Sequence, residues 1–233
     1  MSAVLYDDGG HCTPPEFEAM KTDVICGYSV ECAETSDELR AIYGAPSELA
    51  QRKSLTQLDE HCRDFIARSP FLCLSTAAAD GAADVSPRGD APGFVRVLDS
   101  RTLVIPDRLG NNRIDSLLNI VANPHIGLLF LIPGVDETLR VNGLGRVVTS
   151  SPLLADATVN GKQPRTAIVV EVQEAFLQCA KALKRSHLWT GEYRVDRSVV
   201  PTLAKMLVDQ IGLPTPVAEL DAAIETAYRE KLY

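Results

Sequence analysis

Short runs of apolar residues, each about the length of a β-strand, dominate the middle of the chain. The first is FLCLSTA, from Phe71 to Ala77, and Asp80-Gly81 after it supplies the chemistry of a hairpin turn. Later runs, separated by Gly, Pro, Asn or Asp, are DVSPR, FVRVLD, TLVIP, IGLLFLI, LRVNGLGRVV and TAIVVEVQEAFL. Because the connections are mostly tight, the pattern predicts six strands in an antiparallel meander or barrel, since parallel neighbours would need helical crossovers.

Helical periodicity precedes these strands and interrupts them once. Thr35 and Glu38 have capping-box spacing and predict a helix that ends at Gly44. A second helical segment, with room for one break, is predicted from Pro46 to Arg68. The inserted helix is predicted from an apolar stripe formed by Ile114, Leu117, Leu118 and Val121.

The C-terminal part returns to helix, with helices predicted over residues 179–186, 201–210 and 216–231. The pattern therefore predicts an α+β fold with a mainly β core and helical additions at both ends. The predicted regions are a helical N-terminal region packed on the barrel, whose first 34 residues form a polar surface arm, then the barrel, then a helical C-terminal region: 1–70, 71–177 and 178–233.

The composition of the 233-residue chain is that of an acidic globular protein, with a net charge of −8 and 45% hydrophobic residues. The longest apolar run, Ile126 to Pro133, is far shorter than the about 18 residues of a membrane helix. The start MSAVLYDDGG is not a secretory signal, so we expect a cytoplasmic protein without membrane attachment. The cysteines form no CxxC pair and are expected to be free thiols: Cys12, Cys26, Cys32, Cys62, Cys73 and Cys179.

Arginine is concentrated in the middle of the chain. All seven basic residues between positions 86 and 146 are arginines, whose planar fork suits phosphate and carboxylate: Arg88, Arg96, Arg101, Arg108, Arg113, Arg140 and Arg146. A pI near 5.0 argues against the broad basic face that a nucleic acid would require. The segment therefore indicates a small anionic ligand and no nucleic acid, with solvated strand arginines as the alternative.

The segment IPDRLGNNR, Ile105 to Arg113, leaves a strand and enters a helix. Free backbone N–H groups and the positive end of the helix dipole meet at such a junction, and Arg108 and Arg113 add full charges. Gly110 permits a tight turn, and the asparagines after it can cap or donate. The segment is a candidate phosphate cradle, with a helix N-cap and solvated arginines as the alternative. Neither a Walker loop nor a dinucleotide fingerprint is present.

Three other features allow more than one interpretation. SPRGDAPG puts Arg88 in irregular backbone, which suits close approach to a ligand or an ordinary barrel corner. Arg140 and Asn142 share one strand face, which is either functional or simply the solvated side. Trp189, the only tryptophan, is expected in the core or at an interface. HExxH, GxSxG and clustered Cys/His ligands are absent, so we expect no metal site and no positioned nucleophile.

Four stretches, in order, carry a family resemblance: VSPRGDAPGFVRVLD, TLVIPDRLGNNRIDSLLNI, ANPHIGLLFLIPG and TLRVNGLGRV. They resemble the pyridoxamine 5′-phosphate oxidase-like, FMN-binding split-barrel family. CAKALKRSHLW is similar to the C-terminal part of an uncharacterised bacterial branch of that family. The resemblance covers roughly residues 40–210. It implies a six-stranded antiparallel split β-barrel, a homodimer and two FMN sites at the subunit interface.

The resemblance also implies which residues hold the phosphate and line the flavin. Arg113, with Asn112, matches the positions that grip the FMN phosphate. Ile105, Pro106 and Asp107 match the strand end that lies along the flavin.

The remaining positions that the resemblance implies are beside the ring or come from the second subunit. Ser86 and Arg88 match the strand beside the isoalloxazine ring. Arg140 occupies the place of a polar residue that reaches the ring from the dimer partner. Ser186 and Trp189 would close the pocket from the second subunit.

The resemblance supports FMN binding better than it supports vitamin B6 oxidation. True pyridoxamine phosphate oxidases finish with an arginine-rich segment that helps hold FMN and the substrate phosphate, whereas AAIETAYREKLY stands there in this sequence. We therefore predict an FMN-dependent oxidoreductase whose small-molecule substrate or electron donor the motifs leave unnamed. A positive charge such as Arg88 or Arg140 near the pyrimidine end would raise the flavin potential.

The sequence is also compatible with two other functions. One is a non-catalytic flavin-binding or redox-sensing protein, because no substrate-anchoring motif is recognisable. The other is haem binding, for which the ligand candidates, none of them in a supporting motif, are His11, His61, His125 and His187.

Overall fold

The computed structural model describes residues 21–233, so the predictions for Cys12, His11 and the first part of the surface arm lie outside the described residues. By its contacts the chain divides into two units, one ending at Gln51 and the other comprising Arg52–Tyr233.

The N-terminal unit contains a hairpin and two short helices: β1 (Lys21–Ile25), β2 (Tyr28–Cys32), α1 (Ser36–Tyr43) and α2 (Glu48–Arg52), which crosses the unit boundary. Cys26 and Gly27 form the hairpin turn with φ of 51° and 85°, the left-handed pair whose twist matches that of the strands. The hairpin lies in the predicted polar arm, where Cys-Gly gives little turn signal. The capping box of Thr35 and Glu38 and the helix end at Gly44 are confirmed.

One antiparallel sheet organises residues Arg52–Tyr233. Its strands are β3 (Phe71–Ala77), β4 (Ala83–Gly89), β5 (Arg96–Val97), β6 (Thr102–Pro106), β7 (His125–Leu131), β8 (Thr138–Val148) and β9 (Ala167–Gln178). Their order across the sheet is β4-β3-β7-β8-β9-β6-β5. The predicted α+β fold with an antiparallel, mainly β core is confirmed. The sheet has seven strands, one more than the predicted six, because all seven strand-length runs of the sequence contribute a strand, FVRVLD only the two-residue β5.

Alternation along the strands sets which side of the sheet is packed. In β3, Leu72, Leu74 and Thr76 are buried, and the residues between them are partly exposed. β4 is an edge strand, the position in a sheet that tolerates Pro87, because an edge residue can lack an N–H without breaking a ladder on both sides.

Two helices cover the sheet, α3 (Glu60–Arg68) and α4 (Asp115–Ala122). α3 starts at Asp59, whose side chain accepts a hydrogen bond from the Cys62 N–H, and buries Cys62 and Ile66. The break before it, which the sequence allowed, separates α3 from α2. Together these helices account for the predicted segment up to Arg68.

The buried face of α4 differs from the predicted stripe. Leu117 and Ile120 are buried, whereas Leu118 and Val121 are 58% and 78% exposed. Ile114 is also exposed. The prediction of the stripe was wrong because the helix is apolar around most of its circumference, so periodicity did not define which side faces the sheet.

The C-terminal helices follow β9. They are α6 (Lys181–Arg185), α7 (Leu203–Ile211) and α8 (Val217–Glu230), with a 3₁₀ turn (Arg197–Val199) between α6 and α7. The short helix α5 (Pro152–Ala155) lies earlier, between β8 and β9. The three predicted C-terminal helices are confirmed, each with bounds that differ by one or two residues, whereas the predicted region boundaries stay a prediction. Within residues 21–233, no helix combines the length and the apolar character that crossing a membrane requires.

The strand β8 carries a bulge between Asn142 and Gly143, where its register with β9 shifts. A Cβ on Gly143 would lie 2.2 Å from the backbone oxygen of Glu171. Only glycine therefore allows β9 to approach β8 this closely.

We expect Gly143→Ala to lower the free energy of unfolding by at least about 2 kcal/mol, because the clash is with backbone that cannot rotate away. Gly127→Ala on the neighbouring strand is the control, since its Cβ would meet no atom closer than the Asn142 side-chain oxygen at 3.4 Å. Urea unfolding of both variants measures the difference. Equal losses would show that the bulge relaxes freely.

Candidate functional site

The ends of β4 and β6 are joined by two ion pairs. Arg88 Nη1 lies 2.7 Å from Asp107 Oδ1, and Arg108 Nε lies 2.6 Å from Asp90 Oδ2. β4 is at one edge of the sheet and β6 is next to the other edge. These contacts therefore require the sheet to curl until its two edges meet, which is how a split barrel forms.

Arg88 and Asp107 form a mostly buried ion pair, and two buried polar atoms close to it in the part of the chain that the structure describes have no hydrogen-bond partner. Their side chains are 18% and 22% exposed. Among the described residues, the buried Nε of Arg88 has no hydrogen-bond partner, and neither has the buried Oγ1 of Thr166. Thr166 is adjacent, because its carbonyl accepts the Asp107 N–H at 3.0 Å. Unpaired buried polar atoms are uncommon, and two on residues that both contact Asp107 mark a place where a ligand can complete the hydrogen bonding.

Asp90 is the centre of the second ion pair. Its side chain is 3% exposed, and its Oδ1 accepts hydrogen bonds from the Tyr233 hydroxyl and the Ala91 N–H, each at 2.7 Å. Burial raises the pKa of Asp90, but the hydrogen bonds from Tyr233, Ala91 and Arg108 outweigh burial and leave that pKa below its ordinary value. The same hydrogen bond raises the pKa of Tyr233. Asp90 is therefore ionised at neutral pH.

The loop between β6 and α4 presents Arg113 to solvent. Its side chain is 75% exposed, and its Nε lies 2.8 Å from the partly exposed Asp115 carboxylate. Asn112 and Ile114 on either side have φ of 61° and 53°. For a β-branched residue such as Ile114 this left-handed conformation is strained, and such strain is concentrated at binding sites. The N-cap of α4 makes no side-chain hydrogen bond, so the helix begins without a side-chain acceptor.

Side-chain hydrogen bonds tie the first turns of α4 to the barrel. Ser116 Oγ donates to Asp84 Oδ2 at 3.0 Å, and Asn119 Nδ2 donates to Thr76 Oγ1 at 3.0 Å. Asp84 lies on β4 two residues before Ser86, on the strand face that also carries Arg88. The start of α4, which follows Arg113, is thereby held against the strand that carries two of the predicted site residues.

Of the predicted strand-end residues, Ile105 and Pro106 are buried, with Ile105 in the main core. Their side chains are packed inside, so only their backbone is able to face a ligand. The structure brings Asp107 and Arg88 together. Ser86 lies on the same strand as Arg88, and Asn112 and Arg113 lie in the loop that follows Asp107.

The remaining predicted residues lie elsewhere in the same chain. Arg140 stacks on Phe176 with its guanidinium carbon 5.2 Å from the ring centre. Trp189 Nε1 donates to the Val135 carbonyl at 2.9 Å, and Ser186 Oγ donates to the Leu183 carbonyl at 3.0 Å. None of these contacts reaches the corner of Arg88 and Asp107.

A polar network lies beside Arg140 on the same sheet face. Hydrogen bonds from Ser54 and Asn142 hold the pKa of Glu174 below its ordinary value. Asn142 also lines a cavity of about 370 Å³ that includes His125. A second cavity, of about 530 Å³, lies near the start of β6. Neither of these two cavities is lined by Arg88, Asp107 or Arg113.

Residues that the sequence reasoning left out of the site are Asp90, Thr166 and Tyr233, and Arg108 proved to be engaged within the protein. Its Nη1 donates to the Ala157 carbonyl at 2.7 Å in addition to the ion pair with Asp90. The available signal was the charge pattern, Arg-x-Asp at the end of β4 and Asp-Arg directly after β6. Thr166 and Tyr233 carry no local signal. Residues 21–233 contain no group of three or more His, Cys, Asp or Glu side chains placed to hold a metal ion.

Comparison with solved structures gives similarities at low sequence identity. HupZ from Group A Streptococcus is 17% identical over 52% of this chain and 93% of its own, with a TM-score of 0.43. General Stress Protein 26 from Bacillus anthracis is 16% identical over 50% and 93%, with a TM-score of 0.37. An FMN-binding protein from Syntrophomonas wolfei is 10% identical over 61% and 96%, with a TM-score of 0.39. No curated protein matches the chain.

The family model described as pyridoxamine 5′-phosphate oxidase matches residues 58–179, just over half of the chain. The match begins at Leu58, before the described α3, and ends directly after β9. It therefore includes the whole seven-stranded sheet, both ion pairs at its closing edges and the loop that carries Arg113. This chain belongs to the pyridoxamine 5′-phosphate oxidase family.

Proposed function

We propose that the protein binds FMN at the corner where β4 and β6 end, and that it is an FMN-dependent oxidoreductase. The observation that carries this proposal is the junction of β6 and α4, where exposed Arg113 precedes a helix that lacks a side-chain cap. Free helix N–H groups and an arginine fork together bind phosphate. Membership of the family and the FMN-binding protein among the similar structures agree with this ligand.

The residues around this junction fit a flavin as well as a phosphate. The Arg88 Nε–H is buried and unpaired, so it can donate to a carbonyl oxygen or ring nitrogen of the ligand. Asp107 fixes the orientation of Arg88 through the 2.7 Å ion pair. Thr166 Oγ1 is a second buried, unpaired group, on the residue whose main-chain oxygen accepts the Asp107 N–H. The strained backbone at Asn112 and Ile114 directs Arg113 before the ligand arrives.

When bound, FMN supplies the hydride and electron transfer, so the protein needs no nucleophile of its own. The role of Arg113 and Asn112 would be to hold the phosphate. The role of Arg88 would be to hold the ring and to place a positive charge beside it, which favours the reduced, anionic form. Ser86, on the same face of β4, would line the ring side of the site.

A homodimer would complete this site. Within one chain Arg140, Ser186 and Trp189 do not reach the corner, because their contacts are with Phe176, Leu183 and Val135. A second copy would bring those residues to it, as the family resemblance implies. An exposed apolar stripe along α4, formed by Ile114, Leu118 and Val121, supports a partner surface that begins next to Arg113.

The test is a titration of the purified protein with FMN and with riboflavin, which lacks only the phosphate. We expect one FMN per chain in a dimer and an affinity for FMN at least about tenfold higher than for riboflavin, because charge-assisted hydrogen bonds to a phosphate contribute about 1.5–3 kcal/mol. Fluorescence quenching measures both affinities, and light scattering measures the mass. Equal affinities, or no binding, would contradict the proposed site. Steady NADPH oxidation by the loaded protein would distinguish an enzyme from a non-catalytic flavin carrier.

A further inference from the structure

Tyr233 contacts both loops that form the corner, although it is far from them in sequence. Its hydroxyl donates to Asp90 Oδ1 at 2.7 Å, and the Arg108 guanidinium carbon lies 5.7 Å from the centre of its ring. We propose that Tyr233 is a positioning residue for the FMN site, which holds the loop carrying Arg113 in its binding conformation. This inference rests on the proposed function.

The first step is the complete engagement of Asp90. One carboxylate oxygen accepts from Arg108 at 2.6 Å, and the other accepts from Tyr233 and from the Ala91 N–H. The Asp90 side chain is nearly inaccessible to solvent. Removing the Tyr233 hydroxyl would leave Oδ1 with one donor in a place that water reaches poorly, which weakens the hold of Asp90 on Arg108.

The second step is that Tyr233 is fixed from its other side. Lys162 Nζ donates to the Tyr233 main-chain oxygen at 2.7 Å. Arg108 donates to the carbonyl of Ala157, which belongs to the same connection between β8 and β9. The aromatic ring therefore lies against a guanidinium whose Nε and Nη1 are hydrogen-bonded to the protein, an arrangement that favours a cation–π contact.

The third step links this cluster to the ligand. Arg108 lies near the start of the loop 107–114 that carries Arg113, and its Nε and Nη1 donate to Asp90 and Ala157. Its role is to fix the loop at the β6 end, as Ser116 fixes it at the α4 end through Asp84. A loop anchored at both ends loses less conformational entropy when Arg113 binds, which increases affinity through preorganisation.

The experiment compares Tyr233→Phe and Tyr233→Ala with the wild type in the FMN and riboflavin titrations. We expect Tyr233→Phe to reduce the preference for FMN over riboflavin about two- to thirtyfold, the range of coupling from residues that do not touch the ligand. Tyr233→Ala, which also loses the ring over Arg108, should reduce it further. Tyr228→Phe is the matched control, because this tyrosine of α8 is exposed and the hydrogen bonds of Asp90 and Arg108 are made with other residues.

A purely structural role would lower the melting temperature and leave the ratio of the two affinities unchanged, and that result would overturn the proposal. Amide hydrogen exchange of the ligand-free protein is the second measurement. We expect faster exchange over residues 108–114 in Tyr233→Phe and no change there in Tyr228→Phe.

The two proposals fail in different ways. A wild-type protein that binds no FMN overturns both the proposed function and the cofactor role of Tyr233. A wild-type protein that prefers FMN, with unchanged exchange and an unchanged ratio in Tyr233→Phe, overturns the role of Tyr233 alone.

Discussion

Replacing Asp90 with asparagine is expected to lower the free energy of unfolding by about 3 kcal/mol or more, because it removes one partner of a buried ion pair. The Asp90 and Arg108 side chains are only 3% and 17% exposed, so Arg108 would keep its charge with little water to solvate it. The Tyr233 hydroxyl would also lose the ionised carboxylate that accepts its hydrogen bond. Urea unfolding at neutral pH measures the loss.

The control for this variant is Asp64→Asn. Asp64 pairs with Arg68 at 3.1 Å on the surface of α3, and both side chains are 67% exposed. Pairs of this kind contribute about 0–1 kcal/mol. If the two variants lost similar stability, the Asp90 pair would not have the effect that its burial predicts.

The effect of Asp90 should also depend on pH in a defined direction. The folded-state pKa of Asp90 is below the ordinary value of 3.8, so ionised Asp90 stabilises the folded state above that value. This contribution is lost as the pH falls from 3.8 through the folded-state pKa. The difference in the free energy of unfolding between wild type and Asp90→Asn should therefore be largest at neutral pH and should become smaller below pH 3.8. A difference that grew on acidification would contradict the assignment.

Arg113→Ala is expected to weaken FMN binding about tenfold to a hundredfold and to leave riboflavin binding unchanged. The charge-assisted hydrogen bonds of an arginine to a phosphate contribute about 1.5–3 kcal/mol, and riboflavin has no phosphate to lose them. The variant should keep its melting temperature, because the contact of Arg113 with Asp115 is largely exposed and contributes little to folding.

The matched control for this binding experiment is Arg101→Ala. Arg101 is an exposed arginine just before β6, at the opposite end of that strand from the loop. Isothermal titration measures the affinities of each variant for FMN and for riboflavin, and both are compared with those of the wild type. An Arg113→Ala protein that loses riboflavin and FMN affinity equally would indicate that Arg113 acts on the ring or on the fold instead of on the phosphate.

Local sequence patterns were sufficient to predict most helices and strands, because these elements depend on residues that are neighbours in the chain. The capping box at Thr35, the helices after Pro201 and the alternation of Leu72 and Leu74 are determined within a few positions of the chain. The hairpin at Cys26 and Gly27 was missed because its turn lacks the usual Asn-Gly signal. The prediction of the buried side of α4 was wrong, because a helix that is apolar on several sides does not specify which side faces the core.

Of the candidate site, the sequence by itself determined the charged junction between β6 and α4, since the arginines, the asparagines and the helix start are adjacent in the chain. Only the tertiary structure decided that Arg108 is bound inside the protein while Arg113 remains exposed. It also decided that Asp90 and Tyr233, 143 positions apart, share a hydrogen bond. The reason is that the curling of the sheet brings its two edges together, and no local pattern records which distant side chains meet when a barrel closes.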